Sequence, residues 1–127
     1  MSELGFVFPG QGSQKVGMLA ALAEAHPIIV DTFSEASDAL GYDAWQIVQN
    51  GEQEQLNLTE TTQPILLTSS VAIWRLWQQQ TDIRPTLMAG HSLGEFSALV
   101  CAGAIGFTDG VDLVRKRGAF MQSAVPV

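Results

Sequence analysis

The amino-acid sequence predicts an α/β fold in which a parallel sheet is flanked by helices. Two short apolar runs, Leu4 to Phe8 and Thr86 to Ala89, have the length and composition of buried strands. Segments with apolar residues at helical spacing follow each run. Because strands that alternate with helices form parallel pairs, both strands are expected in one parallel sheet.

Most of the predicted helices have a recognisable start or stop. Pro27 fits the first turn of a helix that ends before Gly41, since the N–H that proline lacks is unpaired in a first turn anyway. Gly51 would end a short helix, and Thr108 or Asp109 would cap the last one. In chain order, the predicted helices cover residues 16–25, 27–40, 44–50, 64–79, 94–102 and 108–124.

The predicted helix over residues 64–79 is apolar on nearly all sides and should lie buried in the core. It follows a polar stretch, residues 52–62, for which the sequence predicts no regular element. Two strands alone would leave much of the edge of a parallel sheet unpaired. We therefore expect further strands from sequence outside these 127 residues or from a partner chain.

The composition limits the classes of partner. The chain has 127 residues, enough for one small domain, and 46% of them are hydrophobic, enough for a core. A net charge of −7 argues against nucleic acid or an anionic membrane as the main partner. No apolar run reaches the roughly 18 residues of a membrane span, and a secretory signal is not recognisable. We expect a cytoplasmic location and a buried structural role for Cys101.

Gly90, Ser92 and Gly94 form a Gly-x-Ser-x-Gly sequence between a predicted strand and a predicted helix. This is the layout of a nucleophile elbow, in which a strained strand-to-helix turn presents a serine hydroxyl to an acyl group. The two glycines leave room for the close approach of strand, helix and acyl group. Ser92 is therefore the candidate nucleophile.

Glycines at positions 10, 12 and 17 follow the first strand and invite comparison with nucleotide-binding loops. A dinucleotide fingerprint that starts at Gly10 needs a glycine where Lys15 stands. A phosphate-binding loop over residues 12–17 needs Lys and then Ser or Thr, where Met18 and Leu19 stand. Both nucleotide-binding interpretations fail.

The two predicted strands end at the same edge of the sheet, which is where open α/β sheets bind ligands. Gln11 and Ser92 are therefore expected to face one cleft. The backbone N–H near Gln11 would form an oxyanion hole with the N–H of Leu93, the residue after the candidate nucleophile. The alternative is that the turn around Gln11 has only a structural role.

An activated serine usually needs an imidazole within hydrogen-bond reach, and the chain has only two histidines. His91 adjoins Ser92 on a tight turn, where neighbouring side chains project apart, so a structural role is favoured. His26 lies between two predicted helices and is expected at the surface. Either these residues contain only part of the catalytic site, or Ser92 has no catalytic role.

An anionic ligand of this acidic chain must be met by a local basic cluster. The densest one is formed by Arg115, Lys116 and Arg117, which carry three of the six positive charges. For Arg115 and Lys116 we expect a solvated helix end that complements the helix dipole.

Four sequence motifs occur in a characteristic order. They are Phe-Pro-Gly-Gln-Gly-Ser-Gln at 8–14, Thr-Gln-Pro at 62–64, Gly-His-Ser-Leu-Gly-Glu at 90–95 and Val-Arg-Lys-Arg-Gly-Ala-Phe-Met at 114–121. Together they resemble the malonyl-CoA:acyl carrier protein transacylases of bacterial fatty acid synthesis. The resemblance covers the whole chain.

The resemblance implies that Ser92 takes a malonyl group from malonyl-CoA and delivers it to acyl carrier protein, the two expected partners. Gln11 and Leu93 match the oxyanion-hole positions of the family. Arg117 matches the arginine that binds the malonyl carboxylate, and a guanidinium suits that role because it donates two parallel hydrogen bonds. Gln63 matches an amide near the acyl pocket, although burial at a helix start explains it almost as well. No metal site and no cofactor are expected, since the coenzyme A thioester is a substrate.

Members of this family are more than twice as long, and their catalytic histidine follows an inserted ferredoxin-like subdomain. Residues 1–127 therefore resemble the first part of the α/β-hydrolase-like subdomain of an acyltransferase. The insert, the remaining strands and the histidine are expected outside them, so the chain alone is expected to be inactive. The alternatives are a serine esterase or thioesterase, and a non-catalytic acyltransferase-like fragment.

Overall fold

The computed structural model describes residues 4–124. The elements in chain order are β1 (Gly5–Phe8), α1 (Ala20–Ala25), α2 (Ile28–Leu40), α3 (Ala44–Asn50), α4 (Gln53–Leu56), α5 (Thr59–Gln80), β2 (Leu87–Gly90), α6 (Leu93–Cys101) and α7 (Phe107–Ala124). β1 and β2 pair in parallel, with Gly5 opposite Leu87 and Phe8 opposite Gly90. The predicted α/β class, with a parallel sheet and flanking helices, is confirmed.

The core surrounds α5, which packs against α2, α6 and α7. Every residue from 62 to 72 is buried, as the apolar pattern predicts. Phe6 packs edge-on against the rings of Trp74 and Trp77, which joins the sheet to this helix. The largest fully buried apolar side chains of the core are those of Phe33, Ile29, Leu56, Ile65, Leu67 and Leu93.

The polar stretch 52–62 is largely helical, contrary to prediction. It contains α4 and the start of α5, and Pro64 lies inside α5 rather than at its beginning. Leu56 is fully buried, and the buried Thr62 hydroxyl donates a hydrogen bond to the Leu56 carbonyl. Burial of Leu56 and this side-chain hydrogen bond stabilise helical structure where the polar composition did not predict it.

The first helix begins at Ala20 rather than at residue 16. Gly17 and Leu19 have φ angles of 88° and 68°, which interrupt a right-handed helix. The Gly17 N–H donates instead to the Val48 carbonyl at 2.7 Å. This contact with α3 holds the preceding segment in turns.

The other helix boundaries agree with prediction except at the start of α7. α2 ends at Leu40, before Gly41 with its φ of 82°, and the Asp43 carboxylate caps α3. β2 and α6 lie within one residue of their predicted limits. α7 begins at Phe107, so Thr108 and Asp109 lie in its first turn and the predicted caps were wrong. The Gly106 carbonyl accepts the first-turn hydrogen bond.

The start of α6 packs directly on the end of β1. A Cβ atom on Gly94 would lie 2.2 Å from the Phe8 carbonyl oxygen, and one on Gly90 would lie 2.1 Å from the Gly94 carbonyl carbon. Only glycine fits such backbone contacts. A Cβ on Gly10 would lie 3.4 Å from the His91 carbonyl oxygen, so the turns that follow β1 and β2 are neighbours.

One side of the sheet is open within residues 4–124. Val7 is 82% exposed and Leu87 is 65% exposed, although both are apolar strand residues. An apolar cavity of about 460 Å³ lies beside β1, and one of about 300 Å³ lies between β2 and α6. No helix in this part of the chain is long and apolar enough to cross a membrane.

The close backbone packing of α6 on β1 can be tested by substitution of Gly94. Gly94→Ala should lower the free energy of unfolding by at least about 2 kcal/mol, because a Cβ atom there overlaps the Phe8 backbone. Gly5→Ala is the matched control, since its Cβ would meet the nearest backbone atom at 3.8 Å. Urea unfolding followed by circular dichroism measures both, and equal stabilities would contradict the packing described.

Candidate active site

Ser92 occupies the strained turn that its motif predicts. It lies between the end of β2 at Gly90 and the start of α6 at Leu93, with a φ of 57° and a ψ of −116°. A serine is rarely held in this conformation, and such strain is typical of functional turns. The residue is exposed, so its hydroxyl is open to a substrate.

The Arg117 guanidinium is adjacent to this hydroxyl. Its Nη2 donates to Ser92 Oγ at 3.0 Å, and its Nη1 donates to Gln63 Oε1 at 2.6 Å. Its central carbon lies 5.3 Å from the centre of the Phe96 ring, within the range of a cation–π interaction. Three elements, α5, α6 and α7, therefore orient one positive charge beside the candidate nucleophile.

A close contact between α5 and α7 brings Arg117 to this position. A Cβ atom on Gly118 would lie 2.7 Å from the Thr59 carbonyl oxygen and 3.0 Å from Gln63 Cγ. The missing side chain lets α7 approach the start of α5, so that Arg117 reaches Gln63. Gln63 is only 1% exposed, and its carboxamide is therefore a fixed acceptor in the core.

The two basic neighbours of Arg117, Arg115 and Lys116, pair with a carboxylate of their own helix instead of Ser92. Arg115 and Lys116 both pair with Asp112, one turn earlier on α7. Hydrogen bonds from Lys116 and Arg115 hold the pKa of the Asp112 carboxyl below its usual value. The three basic residues lie in the middle of α7, so the prediction that Arg115 and Lys116 lie at a helix end was wrong. Lys116 is exposed to solvent, as expected. Successive residues of a helix point in different directions, which separates Arg117 from this group.

The Gln11 carboxamide continues the hydrogen-bond network. Gln63 Nε2 donates to Gln11 Oε1 at 3.4 Å, and Gln11 Nε2 donates to Thr59 Oγ1 at 3.2 Å. The structure thus connects Ser92, Arg117, Gln63 and Gln11 in one chain of side chains. These residues were selected from separate motifs in the sequence.

Two backbone donors lie on the turns that follow the strands. Within residues 4–124, neither the Gln11 N–H nor the Leu93 N–H donates a hydrogen bond. Leu93 is the first residue of α6, so its N–H belongs to the positive end of a helix dipole. Both groups are available for an anionic oxygen, as the oxyanion-hole prediction requires.

In the described part of the chain, no imidazole contacts the Ser92 hydroxyl. Among the described residues, neither His26 nor His91 makes a hydrogen bond with Ser92, whose hydroxyl contacts Arg117 instead. The His91 carbonyl accepts a hydrogen bond from the Gly94 N–H at 3.1 Å, so its backbone stabilises the elbow. The same residues contain no group of three or more His, Cys, Asp or Glu side chains that could hold a metal ion.

Cys101 lies at the end of α6, half-buried and without a disulfide partner in the described residues. Burial raises the pKa of its thiol to about 12, and the charge of Arg75 offsets this only in part. The thiol is therefore protonated at neutral pH, which agrees with the predicted structural role.

Sequence reasoning missed three contacts of the site. Phe96 faces the Arg117 guanidinium, Gly118 allows the approach of α7, and Thr59 holds the Gln11 carboxamide. Phe96 lies on the predicted helix 94–102, four residues after Ser92, and this spacing was a signal for the first contact. The other two depend on how α5 and α7 pack, for which the sequence has no local signal.

Comparison with known proteins identifies the family. Residues 5–127 match the family model of the acyl transferase domain, so the chain belongs to the acyl transferase domain family. It is 64% identical over 126 residues to the malonyl CoA-acyl carrier protein transacylase of Salmonella typhimurium. That alignment covers 99% of this chain and 41% of the relative. The chain thus spans about two fifths of the length of its curated relatives. The resemblance to malonyl-CoA:acyl carrier protein transacylases that its motifs predict is confirmed.

Solved structures give the same result for the fold. The chain superposes with a TM-score of 0.95 and 59% identity on an acyl carrier protein S-malonyltransferase from Vibrio cholerae, covering 98% of this chain and 41% of that one. It superposes with a TM-score of 0.96 and 62% identity on a malonyl-transacylase in complex with its type II PKS acyl-carrier protein. Here 98% of this chain and 40% of that chain are covered.

The environment of Cys101 leads to a prediction about its reactivity. With a thiol pKa of about 12, the thiolate fraction at pH 8 is on the order of 10⁻⁴, against about a quarter for a free cysteine. Iodoacetamide should therefore label the native chain far more slowly than the same chain in denaturant. Mass spectrometry follows the labelling, and equal rates in the two conditions would show that the thiol is not protected.

Proposed function

We propose that this chain carries the nucleophile, the oxyanion turn and the carboxylate anchor of a malonyltransferase. The enzyme would move a malonyl group from coenzyme A to acyl carrier protein through an ester on Ser92, and so supply extender units for fatty acid synthesis. The observation that carries the proposal is the hydrogen bond from the Arg117 guanidinium to Ser92 Oγ. The names of the relatives, which include transacylases of malonyl-CoA, support it.

The position of Arg117 favours an acyl group with a negative charge. A guanidinium can donate two parallel hydrogen bonds to a carboxylate, and Gln63 already fixes one of its nitrogens at 2.6 Å. A malonyl group esterified to Ser92 would carry its free carboxylate a few bonds from Oγ, within reach of Nη2. The carboxylate would take the place of the serine hydroxyl as an acceptor from Arg117. Acyl groups without a free carboxylate gain nothing from this cation.

The proposed reaction has two transfers. In the first, Ser92 Oγ attacks the thioester carbonyl carbon while a general base takes its proton. The N–H groups of Gln11 and Leu93 stabilise the negative oxygen that forms. The carbon–sulfur bond then breaks, and the coenzyme A thiolate receives the proton. In the second, the phosphopantetheine thiol of acyl carrier protein gives its proton to the base, and its sulfur attacks the ester carbonyl carbon. The bond between that carbon and Ser92 Oγ breaks, Oγ takes the proton from the base, and malonyl remains on the carrier as a thioester.

We also propose that residues 1–127 are the first part of a longer hydrolase-like subdomain. A ferredoxin-like insert, further strands and the base, a histidine, would lie outside them. Three observations support this division: the short coverage of the relatives, the exposed strand residue Val7, and the absence of an imidazole on Ser92 within residues 4–124. The 127-residue chain alone would then be inactive. A cytoplasmic location without a resident cofactor completes the proposal, with malonyl-CoA and acyl carrier protein as partners.

A transfer assay tests this function. The complete protein is mixed with malonyl-CoA and acyl carrier protein, and mass spectrometry measures malonyl on the carrier and on Ser92. We expect transfer by the wild type, no acyl-enzyme with Ser92→Ala, and a rate about 10² to 10⁴ times lower for the 127-residue chain alone. Hydrolysis of malonyl-CoA without transfer would identify a serine esterase or thioesterase instead. If the complete protein does not react, it is a non-catalytic relative.

Substitution of Arg117 tests the carboxylate anchor. Arg117→Ala should lower kcat/KM for malonyl-CoA by about 100-fold, because two charge-assisted hydrogen bonds to the substrate are lost. The same variant should change kcat/KM for acetyl-CoA by less than about 3-fold, since acetyl has no carboxylate. Arg117→Lys keeps the positive charge but not the two parallel donors. Its kcat/KM for malonyl-CoA should therefore lie between those of the wild type and Arg117→Ala. Equal losses for both substrates would refute the anchor.

A further inference from the structure

Three polar side chains of the segment 53–59 hold the turn that follows β1. We call Gln53, Asn57 and Thr59 the amide bracket, because they form hydrogen bonds with amide groups of residues 11–16. No role was predicted for this polar segment, and the proposed reaction does not use it. Its contacts reach across 37 to 48 positions of the chain.

Asn57 lies at the centre of the bracket. Its Oδ1 accepts from Gln14 Nε2 at 2.9 Å and from Gln53 Nε2 at 2.9 Å. Gln53 Oε1 in turn accepts from the Val16 N–H at 3.0 Å. The Gln14 side chain is thereby fixed, and its Oε1 accepts from the Gly12 N–H at 2.8 Å.

Thr59 holds the residue that carries the candidate oxyanion donor. Its Oγ1 accepts from Gln11 Nε2, while Gln63 Nε2 donates to the other end of the same carboxamide. The Thr59 N–H donates to Gln122 Oε1 at 3.0 Å, so α7 fixes Thr59 in turn. The Gln11 side chain thus has a partner at each end, and both partners belong to α5.

The turn has little else to define its shape. Gln11, Gly12 and Ser13 are exposed, and Gly12 has a φ of 111°. The Ser13 N–H and hydroxyl both donate to the Gly10 carbonyl. Within residues 4–124, the other hydrogen bonds of residues 11–14 run to one another, to Gln63 or to the bracket. The direction of the Gln11 N–H therefore depends on these side chains.

We propose that Thr59 and Asn57 are positioning residues that aim the Gln11 N–H at the oxyanion of the reaction. The inference rests on the proposed function, since only an acyl transfer gives that N–H a charge to stabilise. The bracket would help to stabilise the oxyanion that forms from the thioester carbonyl, which every acyl substrate has. Arg117 would instead bind the free carboxylate, which malonyl has and acetyl lacks. The two contributions therefore differ in their dependence on the acyl group.

The test compares Thr59→Val, which removes the acceptor, with Thr59→Ser, which keeps it. In the complete protein, Thr59→Val should lower kcat about 10-fold for both malonyl-CoA and acetyl-CoA, with KM nearly unchanged, because the oxyanion develops only in the transition state. Asn57→Leu should have the same effect, and Thr59→Ser should stay within about 2-fold of the wild type. Thr61→Val is the matched control, since the Thr61 hydroxyl makes no hydrogen bond within residues 4–124.

Hydrogen exchange separates this inference from the proposed function. In Thr59→Val, the backbone amides of residues 11–16 should exchange faster, while those of α5 stay protected. Faster exchange in a protein that never transfers malonyl would uphold the bracket and refute the function. Full kcat in Thr59→Val, a loss confined to malonyl-CoA, or an equal loss in Thr59→Ser would each overturn the positioning role.

Discussion

The hydrogen bond between Arg117 and the buried Gln63 carboxamide is the contact on which the candidate site depends. Gln63 is fixed in the core by α5, so it defines the position of the guanidinium relative to the Ser92 hydroxyl. The same carboxamide contacts Gln11 and thereby the turn that follows β1. The buried Gln63 carboxamide thus holds both the Arg117 guanidinium and the turn that follows β1. The bare backbone of Gly118 makes the arrangement possible, because α7 could not otherwise approach α5.

The charge distribution explains why one arginine can define an anion site on an acidic chain. The net charge of −7 repels an anionic substrate at long range, so recognition must be local. Arg115 and Lys116 are paired with Asp112 and add little at the site. Arg117 is half-buried, with neutral partners in Gln63 and Ser92. Within residues 4–124 no carboxylate pairs with this positive charge, which leaves it available for the substrate carboxylate of the proposed reaction.

The sequence predicted the parts of the site that are fixed by local backbone geometry. The turn at Ser92 and the glycine at position 94 follow from steric rules that act over a few residues. The role of the segment 53–59 could not be predicted, because its hydrogen bonds join residues far apart in the sequence. The early start of α5 at Thr59 depends on the same contacts and on burial of Leu56. Local polarity alone indicated a loop there.

A crystal structure of the malonylated complete protein would show directly whether Arg117 binds an acyl carboxylate on Ser92. We expect an ester on Ser92 Oγ, with each guanidinium Nη atom of Arg117 near the malonyl carboxylate or near Gln63 Oε1. The ester carbonyl oxygen should accept hydrogen bonds from the N–H groups of Gln11 and Leu93. A malonyl carboxylate that points into solvent would refute the role of Arg117, and an ester on another residue would refute the role of Ser92.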